Sequence, residues 1–152
     1  MSMNTFITAN HFPMTIRYFL DTSFSIATAI ESDEFHSKAH LLSAKLQSED
    51  SKILTTQAVL IEIGNSFSGR AYRSYAVDFF DKVGSEPNFE IVSLSDALID
   101  AGVDLFRSRM DKNWSLVDCI SFVVMKDLKV ELALTNDHHF VQAGFRALLR
   151  ED

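Results

Sequence analysis

Short apolar runs alternate with longer stretches in which apolar residues recur every three or four positions. Ile16 to Asp21 is a compact apolar run of the kind that makes a buried strand. A helix is predicted from Ser23, and another from Asp33 to Gln47, where Phe35, Ala39, Leu42 and Leu46 fall at helical spacing. Lys52 to Thr55 predicts a brief strand, Thr56 to Ser68 a helix, and Arg70 to Val83 a further helix stopped by Gly84 and Pro87. Phe89 to Ser93 predicts a strand. Ser95 or Asp96 is placed to cap a helix reaching Lys112, and Ser115 to cap one ending near Leu128. Glu131 to Thr135 predicts a strand, and after a short turn Phe145 to Leu149 predicts the last one. Residues 1–15 form a weakly patterned leader broken by Pro13, with Met14 a candidate start of the core.

This order favours a three-layer α/β/α domain around a mainly parallel sheet of about 4–5 strands. In such sheets ligands bind in the crevice at the carboxyl ends of the strands. Asp21 closes the first strand and Asp137 lies just past a late one, so both are expected to face that crevice.

Composition narrows the class. A chain of 152 residues, 47% apolar and 23% charged, is expected to be one globular domain, and no repeats or linkers divide it. The single cysteine, Cys119, excludes an internal disulfide framework and a multi-cysteine zinc site. Its apolar helical surroundings predict a buried, inert thiol. No apolar run approaches the roughly 18 residues of a membrane span, and the N-terminus lacks a secretory pattern. A soluble, reducing, cytoplasmic setting is the expectation. The net charge of −7 weighs against a nucleic-acid partner, although two bound divalent cations would offset more than half of it. Arg70 with Arg73, and Arg107 with Arg109 and Lys112, are either solvated helix faces or phosphate contacts.

Four acidic residues carry the candidate chemistry: Asp21, Glu62, Asp118 and Asp137. Carboxylates gathered in one place repel each other unless a cation bridges them, so a shared crevice implies a metal site. Glu62 interrupts the apolar segment Ala58 to Ile63, where it either reaches solvent along a narrow stripe or is buried with a partner. Asn65 and Ser66 share its stripe, Gly69 continues the row, and an unbroken helix would bring Arg73 onto the same line for a phosphate. Asp118 matches a capping box with Ser115. Capping and metal binding are compatible, because a carboxylate has two oxygens. Thr135 and Asp137 place polar groups at a strand end. His138 and His139 lack a third nitrogen ligand for zinc, so one of them, with His138 the candidate, touches substrate or both occupy a surface turn.

Taken in order, Phe19-Leu20-Asp21-Thr22-Ser23, Glu62-Ile63-Gly64-Asn65, Ser115 to Phe122, and Thr135-Asn136-Asp137-His138-His139-Phe140 followed by Ala143-Gly144-Phe145 resemble PIN-domain motifs. The resemblance covers the chain from Ile16 to Leu149, and includes the threonine-x-aspartate-x-x-phenylalanine turn. It implies a single nuclease domain over residues 16–150. It carries metal-binding and catalytic roles onto Asp21, Glu62, Asp118 and Asp137, and supporting roles onto Ser23, Asn65 and Thr135. The length is similar to that of VapC-type toxins, which implies a possible cognate antitoxin, and dimers are common in such proteins. The leader departs from the family, whose first strand usually starts close to the N-terminus.

The expected chemistry is hydrolysis of RNA phosphodiester bonds, leaving a 5′-phosphate and a 3′-hydroxyl as in the resembling family. Oxygen ligands suit one or two Mg²⁺ or Mn²⁺ ions, with Asp21 as the bridging candidate, Glu62 and Asp118 on one side, and Asp137 on the other or farther out. Crowding is expected to raise at least one carboxylate pKa in the metal-free protein. The alternative is a catalytically silent fold of the same kind that binds RNA or protein. A phosphoacceptor receiver domain fits poorly, because no acidic pair follows the first strand and no lysine lies in Leu132 to Leu134.

Overall fold

The computed structural model describes residues 15–152. The leader and the candidate start at Met14 fall outside the described residues, apart from Thr15. The elements run β1 (Ile16–Leu20), α1 (Thr22–Ala29), α2 (His36–Ser48), β2 (Ser51–Thr56), α3 (Gln57–Ser66), α4 (Arg73–Ser85), β3 (Phe89–Val92), α5 (Asp96–Ser108), α6 (Leu116–Asp127), β4 (Leu132–Leu134), α7 (His138–Gln142) and β5 (Arg146–Ala147).

The five strands form one sheet in the order β3-β2-β1-β4-β5, with every neighbouring pair parallel. Parallel crossovers are right-handed. The steps from β1 to β3 and the steps from β3 to β5 run in opposite directions, so their helices cover opposite faces and make three layers. The direction reverses beside β1, whose neighbours are β2 and β4. A crevice opens there at the carboxyl ends of β1 and β4.

Burial follows the sheet. Phe19, Leu54, Ala133 and Leu134 on the three central strands are fully buried, as expected where helices cover both faces of a parallel sheet. Under the crevice, Phe122 of α6 packs edge-on against Phe140 of α7 and Trp114, with ring centroids 4.9 and 5.0 Å apart. This cluster ties together the two segments that carry Asp118 and Asp137. On the outer side α5 lies close against α6, and a Cβ on Gly102 would sit 2.5 Å from Ile120 Cγ1.

Four expectations need correction. The short turn expected after Thr135 contains a five-residue helix, His138–Gln142, capped by Asp137. The helix expected to reach Lys112 ends at Ser108, because Arg109 leaves helical geometry and clamps Asp111 through two hydrogen bonds of 2.8 and 2.9 Å. The last strand is only Arg146–Ala147, although Leu148 and Leu149 still donate backbone hydrogen bonds to Ala133 and Thr135. The row from Glu62 to Arg73 is broken after Ser66, where the chain turns at Gly69. No helix among the described residues is long and apolar enough to cross a membrane.

Candidate metal centre at the sheet's switch point

Asp21 is the first residue after β1 and caps α1, its side chain accepting the Ser23 N–H at 3.4 Å. Its backbone N–H donates to Leu134 O, so the ends of β1 and β4 remain joined up to the crevice. The same carboxylate oxygen, Oδ2, accepts the hydroxyls of Ser23 at 2.9 Å and Thr135 at 2.7 Å. Each hydroxyl has one proton to donate. The backbone N–H groups of Asn136 and Asp137 donate to Ser23 Oγ and Thr135 Oγ1, both at 3.0 Å. With both hydroxyl protons directed at Asp21, every donor here is used, and Oδ1 remains for another ligand. Ser23 and Thr135 therefore orient Asp21 and brace the turn that leads to Asp137.

Asp21 is 5% exposed. Burial lifts its pKa to about 6, and the charges of Asp118 and Glu62 push in the same direction against the two hydroxyl hydrogen bonds. These repulsions make Asp21, Glu62 and Asp118 electrostatic neighbours although they come from a strand end and two helices.

Asp118 is buried at the start of α6 and forms the capping box: Ser115 Oγ accepts its N–H, and its Oδ2 accepts the Ser115 N–H, both at 3.0 Å. That same Oδ2 lies 3.0 Å from His139 Nδ1. Glu62 on α3 is half-buried, which is intermediate between the solvated stripe and the sealed position open to it from sequence. Asp137 caps α7 by accepting the His139 N–H at 2.8 Å. Its Oδ1 is 3.4 Å from His139 Nδ1, so Asp137 is connected to Asp118 through that imidazole.

The remaining sequence candidates lie farther out. Asn65 is exposed on α3. Arg73 donates from Nε and Nη2 to Ser68 O at 3.1 and 2.7 Å, closing the turn between α3 and α4. His138 is a largely exposed neighbour of Asp137. Of the basic groups, Arg107 pairs with Asp104 and Arg109 with Asp111. One contributor was passed over for its neighbour His138, and another was missed. His139 faces the carboxylates, and its signal was the aspartate-x-histidine spacing at a helix start. Arg150 donates to Asn136 O at 2.8 Å and braces the turn after Thr135; its place at the end of the chain offered no signal. A separate groove of about 620 Å³ runs between α1, α2 and α4, and none of the four acids lines it.

A parallel three-layer domain with carboxylates gathered at its switch point defines the class. The PIN domain pattern matches residues 18–146, and the chain belongs to the PIN domain family. No curated protein matches it at the sequence level. Among solved structures it is similar to VapC20 of Mycobacterium tuberculosis, described as a toxin that cleaves the sarcin-ricin loop. The TM-score is 0.75 at 25% identity, covering 85% of this chain and 96% of that one. It also shares its fold with a chain of VapBC2 from Rickettsia felis, solved bound to a DNA fragment from the promoter, with a TM-score of 0.59 at 17% identity over 84% of this chain and 93% of that one.

Proposed function

We propose that residues 16–150 form a metal-dependent endoribonuclease domain that hydrolyses RNA phosphodiester bonds at Asp21, Glu62, Asp118 and Asp137. The observation that carries this reading is the crowding at Asp21, a buried carboxyl lifted to about 6 with two further acids beside it, in a chain of the PIN domain family. The donor set fits Mg²⁺ or Mn²⁺. It is rich in carboxylate oxygens, and the unrelieved negative charge is what a divalent cation neutralises. Asp21, Glu62 and Asp118 would hold the ion, with Asp137 beside them.

When bound, such ions supply an activated water and relief of charge on the phosphoryl oxygens. The chain's own residues keep the acids in place. Ser23 and Thr135 direct their protons to Asp21 Oδ2, and the capping box fixes Asp118. The preference for RNA rests on likeness to VapC20. By the same likeness to VapBC2, a cognate antitoxin is the expected partner. A cytoplasmic homodimer with no membrane attachment completes the proposal.

Asp21→Asn keeps a capping oxygen and removes one charge. In a cleavage assay on single-stranded RNA, the wild-type chain should act only with Mg²⁺ or Mn²⁺, and Asp21→Asn should lose at least a hundredfold in rate, on the order of 3 kcal/mol of barrier. Cleavage that persists in EDTA and in the variant would sink the reading. Absence of cleavage with every RNA and metal tried would favour a silent binding module.

A further inference from the structure

Helix α7 carries two adjacent imidazoles, and one of them turns toward the carboxylates. His139 Nδ1 lies 3.0 Å from Asp118 Oδ2 and 3.4 Å from Asp137 Oδ1, with its side chain 19% exposed. The His138 side chain is 59% exposed, and its Nδ1 is 3.6 Å from Asp137 Oδ1. Ligand atoms of Asp137, His138 and His139 all lie within 4.8 Å of one another.

A hydrogen bond alone accounts for one of the two short distances at His139, since Nδ1 carries one proton at most. Both distances together have the dimensions of a coordination shell. Atoms about 2.1 Å from an octahedral ion sit about 3.0 Å apart at neighbouring vertices. Asp118 Oδ2 and Asp137 Oδ1 come from two separate elements and lie 3.0 and 3.4 Å from His139 Nδ1, close to that spacing. Asp118 Oδ2 is held meanwhile by the Ser115 N–H and Asp137 Oδ1 by the His139 N–H. The aromatic packing of Phe140 on Phe122 fixes α7 against α6. His139 Nδ1 is thus held within reach of both carboxylates.

We propose that His139 is a nitrogen ligand to the divalent cation shared with Asp118 and Asp137, and that it biases the site toward first-row transition ions over Mg²⁺. The inference rests on the metallonuclease reading and replaces its all-oxygen donor set with a mixed one. Imidazole is a good ligand for transition ions, whereas Mg²⁺ keeps oxygen donors and its own waters. Binding through Nδ1 requires the neutral ring with its proton on Nε2, and the hydrogen bond to Asp118 then gives way to coordination. His138, on the outer side of Asp137, is not needed for the shell.

The test uses the full chain stripped of metal with EDTA and dialysed. Binding of Mn²⁺ and of Mg²⁺ is measured by calorimetry, and bound Mn²⁺ is examined by pulsed electron paramagnetic resonance for coupling to nitrogen. Wild type should show the coupling. His139→Ala should lose it and bind Mn²⁺ roughly tenfold or more weakly, with Mg²⁺ affinity changed by less than about twofold, since Mg²⁺ relies on oxygen donors. His138→Ala should retain the coupling. Should His139→Ala fail to fold, as judged by circular dichroism, His139→Asn carries the same spectroscopic test without an imidazole. Coupling that is absent from wild type, or that survives His139→Ala, overturns the inference. So does equal weakening of both ions, which would mark His139 as a hydrogen-bond donor that only positions Asp118. Failure of wild type to bind either ion would remove the metallonuclease reading itself.

Discussion

At the scale of single residues, carboxylates crowded at Asp21 store repulsion unless a cation neutralises them. Asp21 titrates at about 6 in the folded protein because burial, Asp118 and Glu62 all disfavour its charge. The sign of the linkage follows. A carboxyl whose folded pKa is raised binds its proton more tightly folded than unfolded, so its cost is fully present above about 6 and fades as pH falls toward its ordinary unfolded value. In EDTA, lowering the pH from 7.5 to 5 should therefore raise the unfolding free energy by roughly 1.4 kcal/mol from this group alone, about half of the full effect, which is reached only below about pH 4. Asp21→Asn should flatten that rise and be the more stable protein at pH 7.5. A chemical-denaturation series at the two pH values checks both. A variant that loses stability at pH 7.5 and keeps the full pH dependence would mean that Asp21 is not the strained group. Thr135 makes the complementary case. Thr135→Val removes the donor to Asp21 and the acceptor for the Asp137 N–H, two bonds in a buried setting. It should cost about 1–3 kcal/mol, read as a lowered midpoint in the same denaturation experiment.

At the scale of elements, the site depends on where α6 begins and how closely it lies against α5. Gly102 sits in the middle of α5, where alanine would ordinarily add helix propensity. Here the added Cβ meets Ile120 of α6 at 2.5 Å, and two packed helices do not yield without moving one of them. Gly102→Ala should lower the stability of the EDTA-treated protein by about 1–3 kcal/mol, and that cost should shrink in an Ile120→Ala background, where the clashing Cγ1 is gone. Thermal unfolding of the single and double variants decides between crowding and propensity. A more stable Gly102→Ala would mean that the helices have room to separate.

The elements also explain how far the sequence could be read. Strands β1 and β4 were legible because buried parallel strands are mostly apolar, and β2 showed only through the Ile53-Leu54 pair between polar residues. Asp118 was legible because the box from Ser115 is a local pattern. The relation of Glu62 to Arg73 was not, because it depended on whether a helix survived Gly69. His139 was a choice between two adjacent imidazoles. Spacing told that they diverge, and only the packing of Phe140 on Phe122 decides which one turns inward.

At the scale of the whole molecule, topology brings the acids together. Asp21 and Asp137 follow the two strands that flank the reversal in the sheet order, and Glu62 and Asp118 are carried to the same edge by helices from different parts of the chain. A chain of net charge −7 thus concentrates negative charge at one crevice. A ligand that binds only the folded state stabilises it by mass action. Divalent cation at a hundred times its dissociation constant should add about 3 kcal/mol, a rise of roughly 5–15 °C in the midpoint for a domain of this size. Asp21→Asn should begin from a higher midpoint in EDTA and gain little on adding Mn²⁺, so that the two melting curves draw together or cross as metal is titrated. Equal gains in both proteins would place the cation elsewhere on the acidic surface. A gain confined to wild type would tie the stability of the whole domain to the one place where its strands and helices bring their carboxylates together.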